Sequence, residues 1–534
     1  MTEQEKQRPT DGRTGGEIHT ENGEPKKKIG KVWLVGAGPG DVGLLTLKGA
    51  RVLEQAEVVV YDSLVGDGVL AKIPQGIRTI NVGKRAGHHT MPQEQINQVL
   101  LEEAEAGRRV VRLKGGDPFL FGRGGEELEL LAEHKIPFEI VPGITSAIAV
   151  PAYNGIPVTH RDFCSSVHII TGHQRKGEPL NIDFDALVRI KGTLVFLMGI
   201  SALPAIMQGL LEAGMHPDMP CAVLSRGTTA FQSCLESTVG QMEQTVREQG
   251  VVTPAIIVVG KVCVLHREFS WYEKLPLSGC RVIVTRPRGR SGRMSRLLRA
   301  KGAEVLELPS IETVPSGDLS GLAAALENLG AYHWTAFTSP YGVMLFFEEL
   351  LKSGRDARAL AGLKFAAIGE GTKKALAEHG IRADLLPDVY DGAHLGMALA
   401  ETCGSGERIL LPRAAIGSEE ILAALAVRKD LTVDDVPVYE TRYTGPEVLD
   451  ETKLFVEGAV TLAVFTSAST VRGFASAAPG LDLRRVTAVC IGQQTAAAAK
   501  EFGMKTEIAR KATMESLADC VEQVYRKIRP TDVC

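Results

Sequence analysis

KVWLVGAGPGDVG, residues 31–43, runs from an apolar segment straight into a glycine-rich loop, and its reading decides the fold. A short apolar run closed by glycine is how a strand buried on both faces looks in sequence. The pattern returns at AEVVVY (56–61), RVVRL (109–113), VHIIT (167–171), TLVFLM (193–198) and AIIVV (255–259). Amphipathic stretches such as MPQEQINQVLLEEAEAG (91–107) separate several of these runs. That alternation predicts α/β layers on a largely parallel sheet.

With 534 residues the chain is too long for a single core. HREFSWYEKLPLSG (266–279) interrupts the pattern with charge, aromatics, proline and glycine and reads as the main linker, dividing 30–265 from 280–534. Residues 1–29 are polar, without an apolar run fit for a signal peptide or a span, and read as a disordered extension of a cytoplasmic protein. The nine cysteines are scattered singly, which points to a reduced compartment and no metal. Sixty Lys and Arg against 64 Asp and Glu leave a net charge of -4, so no global field draws the chain to nucleic acid or to a membrane.

The first loop poses the cofactor question. Gly38-x-Gly40-x-x-Gly43 formally matches a dinucleotide fingerprint, and Asp62 follows the second apolar run where a ribose-binding acid belongs. Pro39, however, removes a backbone donor where a pyrophosphate needs one. A second glycine loop, LKGGDPFLFGRGGEE (113–127), has no standard use in a dinucleotide fold.

Taken in order, VGAGPGDVGLLTLKGA, VVVYDSLV, VGKRAG, VVRLKGGDPFLFGRGGEELE, VPGITSAIAVPAYNGIPVTHRD, VFLMG and TPAIIVVG closely resemble the uroporphyrinogen-III C-methyltransferases of the tetrapyrrole methylase class, over about 31–265. The resemblance implies two α/β subdomains with S-adenosylmethionine between them, at Pro39, Gly115, Gly116, Asp117, Leu120, Thr145, Ser146, Met198, Gly227, Pro254 and Ala255. It further implies Asp62 as base and Lys84 as acid, with Arg85, Arg123 and Arg161 as candidates for the substrate, and a homodimer through this half. A sulfonium with a zwitterionic tail suits close backbone approach, a carboxylate and a thioether better than a phosphate cradle. Without the resemblance, Asp62 would read more readily as a loop cap, and Met198 and Leu120 as core.

The second half repeats itself. RVIVTRP (281–287) is echoed by RILLPRA (408–414), AFTSPYGVMLFF (336–347) by VFTSASTVRGF (464–474), and Ile368-Gly369 with Thr372 by Ile491-Gly492 with Thr495. Two similar α/β lobes with a ligand cleft between them are expected. RPRGRSGRMSR (286–296) holds five arginines and no acid, a carboxylate site or a solvated face. Thr338-Ser339 and Thr466-Ser467 would each cap the following helix and turn its positive end to the cleft.

VTRP, the two FTS turns, AAIGEGT, DVPVYET and CIGQQTAAA make residues 280–534 resemble the uroporphyrinogen-III synthases. That implies a lobe of 280–315 with 442–534 around a lobe of 316–441, joined by a pair of strands. Tyr439 would assist loss of the leaving hydroxyl, and Arg286, Thr338, Ser339, Arg413, Thr466, Ser467 and Thr495 are candidates for the substrate. Gln493-Gln494 stands where that family often has proline followed by serine or threonine.

The two resemblances imply consecutive steps. One half would close hydroxymethylbilane to uroporphyrinogen III, and the other would methylate that product twice to precorrin-2 through precorrin-1. No segment resembles the dehydrogenase and ferrochelatase module of some sirohaem synthases, so neither metal insertion nor NAD chemistry is expected. Competing readings are another methylase of this fold, a second half that only captures tetrapyrrole, and an NAD-dependent oxidoreductase.

Overall fold

A computed structural model describes residues 29–83, 91–173, 180–287, 292–417, 419–443, 454–455, 460 and 462–528. It divides between Gly279 and Cys280 into two units. In the first, β1 (Lys31–Gly36), β2 (Val58–Tyr61), β3 (Arg78–Asn81), β4 (Arg109–Lys114) and β5 (Phe138–Val141) form a sheet in the order β3-β2-β4-β1-β5, parallel throughout. β2 is buried at every residue, as its valine run demands of a strand covered on both faces. All the strand-to-helix loops therefore leave from one edge, where ligands of parallel sheets are bound.

β6 (Val167–Thr171), β7 (Thr193–Leu197), β8 (Pro220–Ser225), β9 (Ser233–Thr238) and β10 (Ala255–Val259) form the second sheet, in the order β6-β7-β10-β8-β9. Only β6 and β7 are parallel; the other three pairings are antiparallel. The expectation of a largely parallel sheet thus holds for the first subdomain and is corrected for the second. The reason lies in β8 and β9, which meet through a short connection that cannot hold a crossover helix.

The second unit is built on one nine-stranded sheet. Its strands are β11 (Arg281–Pro287), β12 (Glu304–Pro315), β13 (Trp334–Phe337), β14 (Lys364–Ala367), β15 (Arg408–Ala414), β16 (Thr432–Tyr443), β17 (Leu462–Phe465), β18 (Thr487–Cys490) and β19 (Lys505–Ile508). They run in the order β14-β13-β15-β16-β12-β11-β17-β18-β19. β12 and β16, 12 residues each, pair in parallel with β11 and β15 over their first halves and antiparallel with each other from Ile311–Pro315 to Tyr439–Tyr443. One strand pair therefore serves two lobes. The order is nearly symmetric about that pair, so the sequence repeat maps onto matching strands: β11 with β15, β13 with β17, β14 with β18. Ser339 and Ser467 cap the matching helices, accepting from Gly342 N (3.1 Å) and Thr470 N (3.3 Å).

Trp334, Phe337, Phe346, Phe465 and Phe474 are fully buried in this unit. No helix among the described residues is long and apolar enough to cross a membrane.

Candidate functional site

Three loops at the edge of the first sheet meet backbone to backbone. Gly38 N donates to Gly116 O (3.1 Å) and Gly116 N to Gly38 O (2.8 Å), joining the loop after β1 to the loop after β4. Gly36 and Gly143 face each other so closely that a Cβ on Gly143 would lie 2.2 Å from Gly116 O and 2.6 Å from Gly36 Cα. Only residues without a Cβ permit this approach. Asp117 locks it: Oδ1 accepts from Phe119 N (2.8 Å) and Leu120 N (3.1 Å), and Oδ2 from Gly143 N (3.0 Å). Asp117, read as a cofactor carboxylate, is thus first a brace between loops. A carboxylate accepts about four hydrogen bonds, so it retains capacity for a ligand.

The second subdomain closes on the same place. A Cβ at Gly40 would lie 2.9 Å from Thr229 Cγ2 and 3.7 Å from Gly227 O, which sets Gly40, the residue after Pro39, against the turn at Gly227. Pro254 O accepts from Arg226 N (2.8 Å), and Ala255 pairs with Ser225 at the head of β10. Thr145 caps the helix Ser146–Tyr153 by accepting from Ala147 N (3.3 Å). Leu120 packs on the cluster that holds Ala147 and Leu197. Met198 is not core: it stands 49% exposed with a φ of 54°, at the end of β7. The loops that carry Pro39, Gly116, Asp117, Gly227 and Pro254 therefore adjoin one another, and Met198 follows the Leu197–Ile256 pairing beside Ala255.

Asp62 leaves β2 beside these loops, its Oδ1 accepting from Leu64 N (3.1 Å), while a Cβ on Gly115 would touch Leu64 Cβ at 2.6 Å. Behind it lies a charged cluster that the sequence reading missed. Arg112 reaches Asp62 Oδ2 (3.3 Å) and Glu127 Oε1 (3.1 Å), and Lys114 Nζ reaches the same Glu127 oxygen (2.7 Å). Gln93 Nε2 donates there too (3.2 Å), whereas Glu127 Oε2 is buried without a partner among the described residues. Burial, and next the Arg112 charge, lower the Lys114 pKa against the pull of Glu127. The visible signal was Arg112 and Lys114, two cations at alternate positions after the apolar pair of the strand RVVRLK.

Other expected residues are differently placed. Lys84 and Arg85 lie outside the described residues, as does the side chain of Arg286. Arg123 turns back on its own helix and pairs with Glu126 through Nε (2.9 Å) and NH2 (2.5 Å). Arg161 is exposed on the turn between His160 and Cys164, and no hydrogen bond or ion pair among the described residues ties it to the cleft.

In the second unit Tyr439, buried on β16, donates its hydroxyl to Ser339 Oγ (2.8 Å), and Tyr341 meets its ring edge-on at 5.3 Å. Two residues singled out far apart in sequence are thereby in contact. Thr338 follows β13 and precedes Ser339, and Thr466 stands likewise between β17 and Ser467. Arg413 forks onto Asp435, with Nε and NH2 each 2.6 Å from a carboxylate oxygen, and that bond holds its pKa up. It is a structural ion pair, with the arginine buried and the aspartate exposed, before it is an anion site. Thr495 is 4% exposed, as buried as its counterpart Thr372 at 2%.

A family model described as Tetrapyrrole (Corrin/Porphyrin) Methylases matches residues 31–243, and one described as Uroporphyrinogen-III synthase HemD matches 292–519. The porphyrin biosynthesis protein HemD of Ruminiclostridium josui is 48% identical over 490 residues, 92% of this chain and 97% of that one. Siroheme synthase 2 of Klebsiella pneumoniae subsp. pneumoniae is 51% identical over 249 residues, 47% of this chain and 54% of that protein. The chain thus spans about half the length of the siroheme synthases it matches. The crystal structure of uroporphyrin-III C-methyl transferase from Thermus thermophilus complexed with S-adenyl homocysteine is 38% identical, covers 44% of this chain and 100% of its own, and aligns with a TM-score of 0.39.

Proposed function

The chain belongs to the family of the porphyrin biosynthesis protein HemD of Ruminiclostridium josui, and from that premise we propose that it carries out two consecutive steps of tetrapyrrole biosynthesis. The second unit cyclises hydroxymethylbilane to uroporphyrinogen III with inversion of the last ring. The first transfers two methyl groups to that product, giving precorrin-2 through precorrin-1. The observation that supports the reading is the meeting of the loop 38–41 with Gly116 on one side and with the turn Gly227–Thr229 on the other, beside the Asp62 loop.

S-adenosylmethionine fits the meeting place of these loops by its lining. Close-packed glycine backbone admits a flat ligand, Asp117 offers carboxylate capacity to an ammonium, and the exposed Met198 offers a thioether. When bound, the cofactor supplies an electrophilic methyl group. The chain's part is to align the pyrrole carbon and to manage protons. Asp62 takes a proton from the methylated ring, with Arg112 holding its carboxylate in place. Lys84 returns a proton to the macrocycle.

In the second unit Tyr439 assists departure of the substrate hydroxyl, with Ser339 fixing its phenol. The helix ends capped by Ser339 and Ser467 hold the substrate's carboxylates while the cation rearranges. The protein acts in the cytoplasm, as a homodimer through its first half.

The test supplies ready-made uroporphyrinogen III and methyl-labelled S-adenosylmethionine anaerobically and reads the product by mass. Two labelled methyl groups per macrocycle are expected; an unlabelled macrocycle would refute the methyltransferase reading.

A further inference from the structure

The stretch 266–279, which reads as a linker, is docked on the first unit, and its contacts lead back to the cleft. His266 Nδ1 lies 2.6 Å from Asn154 O, and a Cβ on Gly155 would meet the Phe269 carbonyl carbon at 2.3 Å. Trp271 Nε1 donates to Ala152 O (3.0 Å), and both the Trp271 and Tyr272 rings lie 5.2 Å from the ring of Tyr153. The strap thus grips the far end of the helix whose first turn carries Thr145 and Ser146. Composition misled here: aromatic residues between charges mark a docked segment as well as a linker.

Beyond Trp271 a hydrogen-bond chain begins. Gln232 Nε2 donates to Glu273 Oε1 and to Tyr153 O (3.3 Å), and Gln232 Oε1 accepts from Thr228 N (2.8 Å). A backbone N–H can only donate, so the amide of Gln232 has one orientation. Thr228 Oγ1 accepts in turn from Asp41 N (3.2 Å), and Tyr153 donates its hydroxyl to Asp41 Oδ2 (2.8 Å). Two routes from the strap therefore converge on Asp41, the residue after Pro39 and Gly40.

The turn they secure is strained: Arg226 and Thr228, neither of them glycine, have φ of 47° and 67°. Such residues cost about 1–3 kcal/mol each and persist only where neighbours over-determine them. Gln232 supplies that determination on the Thr228 N–H, and Glu273 fixes Gln232.

We propose that Glu273 is a positioning residue for the cofactor loops: through Gln232 and Thr228 it holds the turn 226–229 and the loop 38–41 at the spacing that S-adenosylmethionine requires. The strap is then a working part of the methyltransferase half. This rests on the methyltransferase reading above.

The test titrates the full chain with S-adenosylhomocysteine by calorimetry, as wild type, Glu273→Ala and Glu273→Gln. Alanine strands the Gln232 amide hydrogen, whereas glutamine still offers a carbonyl to it. The expected result is a dissociation constant raised about tenfold in Glu273→Ala and restored to within about threefold by Glu273→Gln. KM for S-adenosylmethionine should rise while KM for uroporphyrinogen III and kcat hold within about twofold. Unchanged affinity in Glu273→Ala overturns the proposal. So does loss of affinity in both variants with a lowered melting temperature, since Glu273 would then only support the fold. If the wild type itself fails to bind S-adenosylhomocysteine, the methyltransferase reading falls and takes the positioning role with it.

Discussion

Gly143→Ala tests whether the cleft depends on backbone contact between its loops. The new Cβ would sit 2.2 Å from Gly116 O and 2.6 Å from Gly36 Cα, where ordinary contact begins at 3.4 Å. Both obstacles are backbone, so no side chain can swing aside, and the loops must part by roughly an ångström. Overpacking of this kind costs about 1–3 kcal/mol. Parting also weakens the two Gly38–Gly116 hydrogen bonds, at about 1 kcal/mol each. The expected loss of stability is about 2–4 kcal/mol, read from the urea transition of the first unit. S-adenosylhomocysteine affinity should fall at least about tenfold, since about 1.4 kcal/mol of lost loop alignment suffices. Gly125→Ala is the control: its Cβ meets nothing within 4 Å and it lies in the helix Gly124–Glu133, so it should be neutral or up to about 1 kcal/mol stabilising. Gly143→Ala with wild-type stability and affinity would refute the close-packed cleft.

Asp62→Asn should lower methylation kcat by about a hundredfold or more while S-adenosylhomocysteine affinity holds; a change under about threefold removes Asp62 as base. Tyr439→Phe should slow ring closure about tenfold and cost about 1 kcal/mol of stability through the lost bond to Ser339, and an unchanged closure rate would leave the phenol no chemical part. Bonds from Lys31 and then Lys48 pull the Glu139 pKa down to about 2 from its usual 4.5. The unfolded carboxyl therefore takes up its proton first, so stability present above pH 4.5 is lost between 4.5 and 2. Glu139→Gln should flatten acid unfolding in that window, by less than about 1 kcal/mol for a partly exposed pair. Burial pushes the thiols of Cys221, Cys280 and Cys490 up to about 12, so iodoacetamide at neutral pH should spare them until the chain is unfolded.

The strands buried on both faces were legible because their apolar runs need no partner to be recognised: β1, β2, β4, β7 and β10 all stand where those runs lie. β3, with the sequence RTIN, and β9, with SCLEST, were not, because half-exposed strands at a sheet edge carry polar residues that read as loop. The duplication of the second half was legible because both copies keep a strand-end serine that caps a helix. Single arginines misled. Arg413 and Arg123 looked free for an anion because their acids, Asp435 across the β15–β16 pairing and Glu126 one helical turn on, become partners only in the fold. Arg112 and Glu127 escaped notice for the converse reason: a strand and a helix must pack before the two charges become one cluster with Asp62.

The central claim is that one chain makes a substrate and then methylates it, and the most direct test is a single anaerobic tube holding the protein, hydroxymethylbilane and S-adenosylmethionine. A dimethylated type-III macrocycle, followed by absorbance and mass, is the predicted product. Unmethylated type-I ring alone would contradict the synthase assignment, and accumulated unmethylated type-III ring would contradict the methyltransferase assignment.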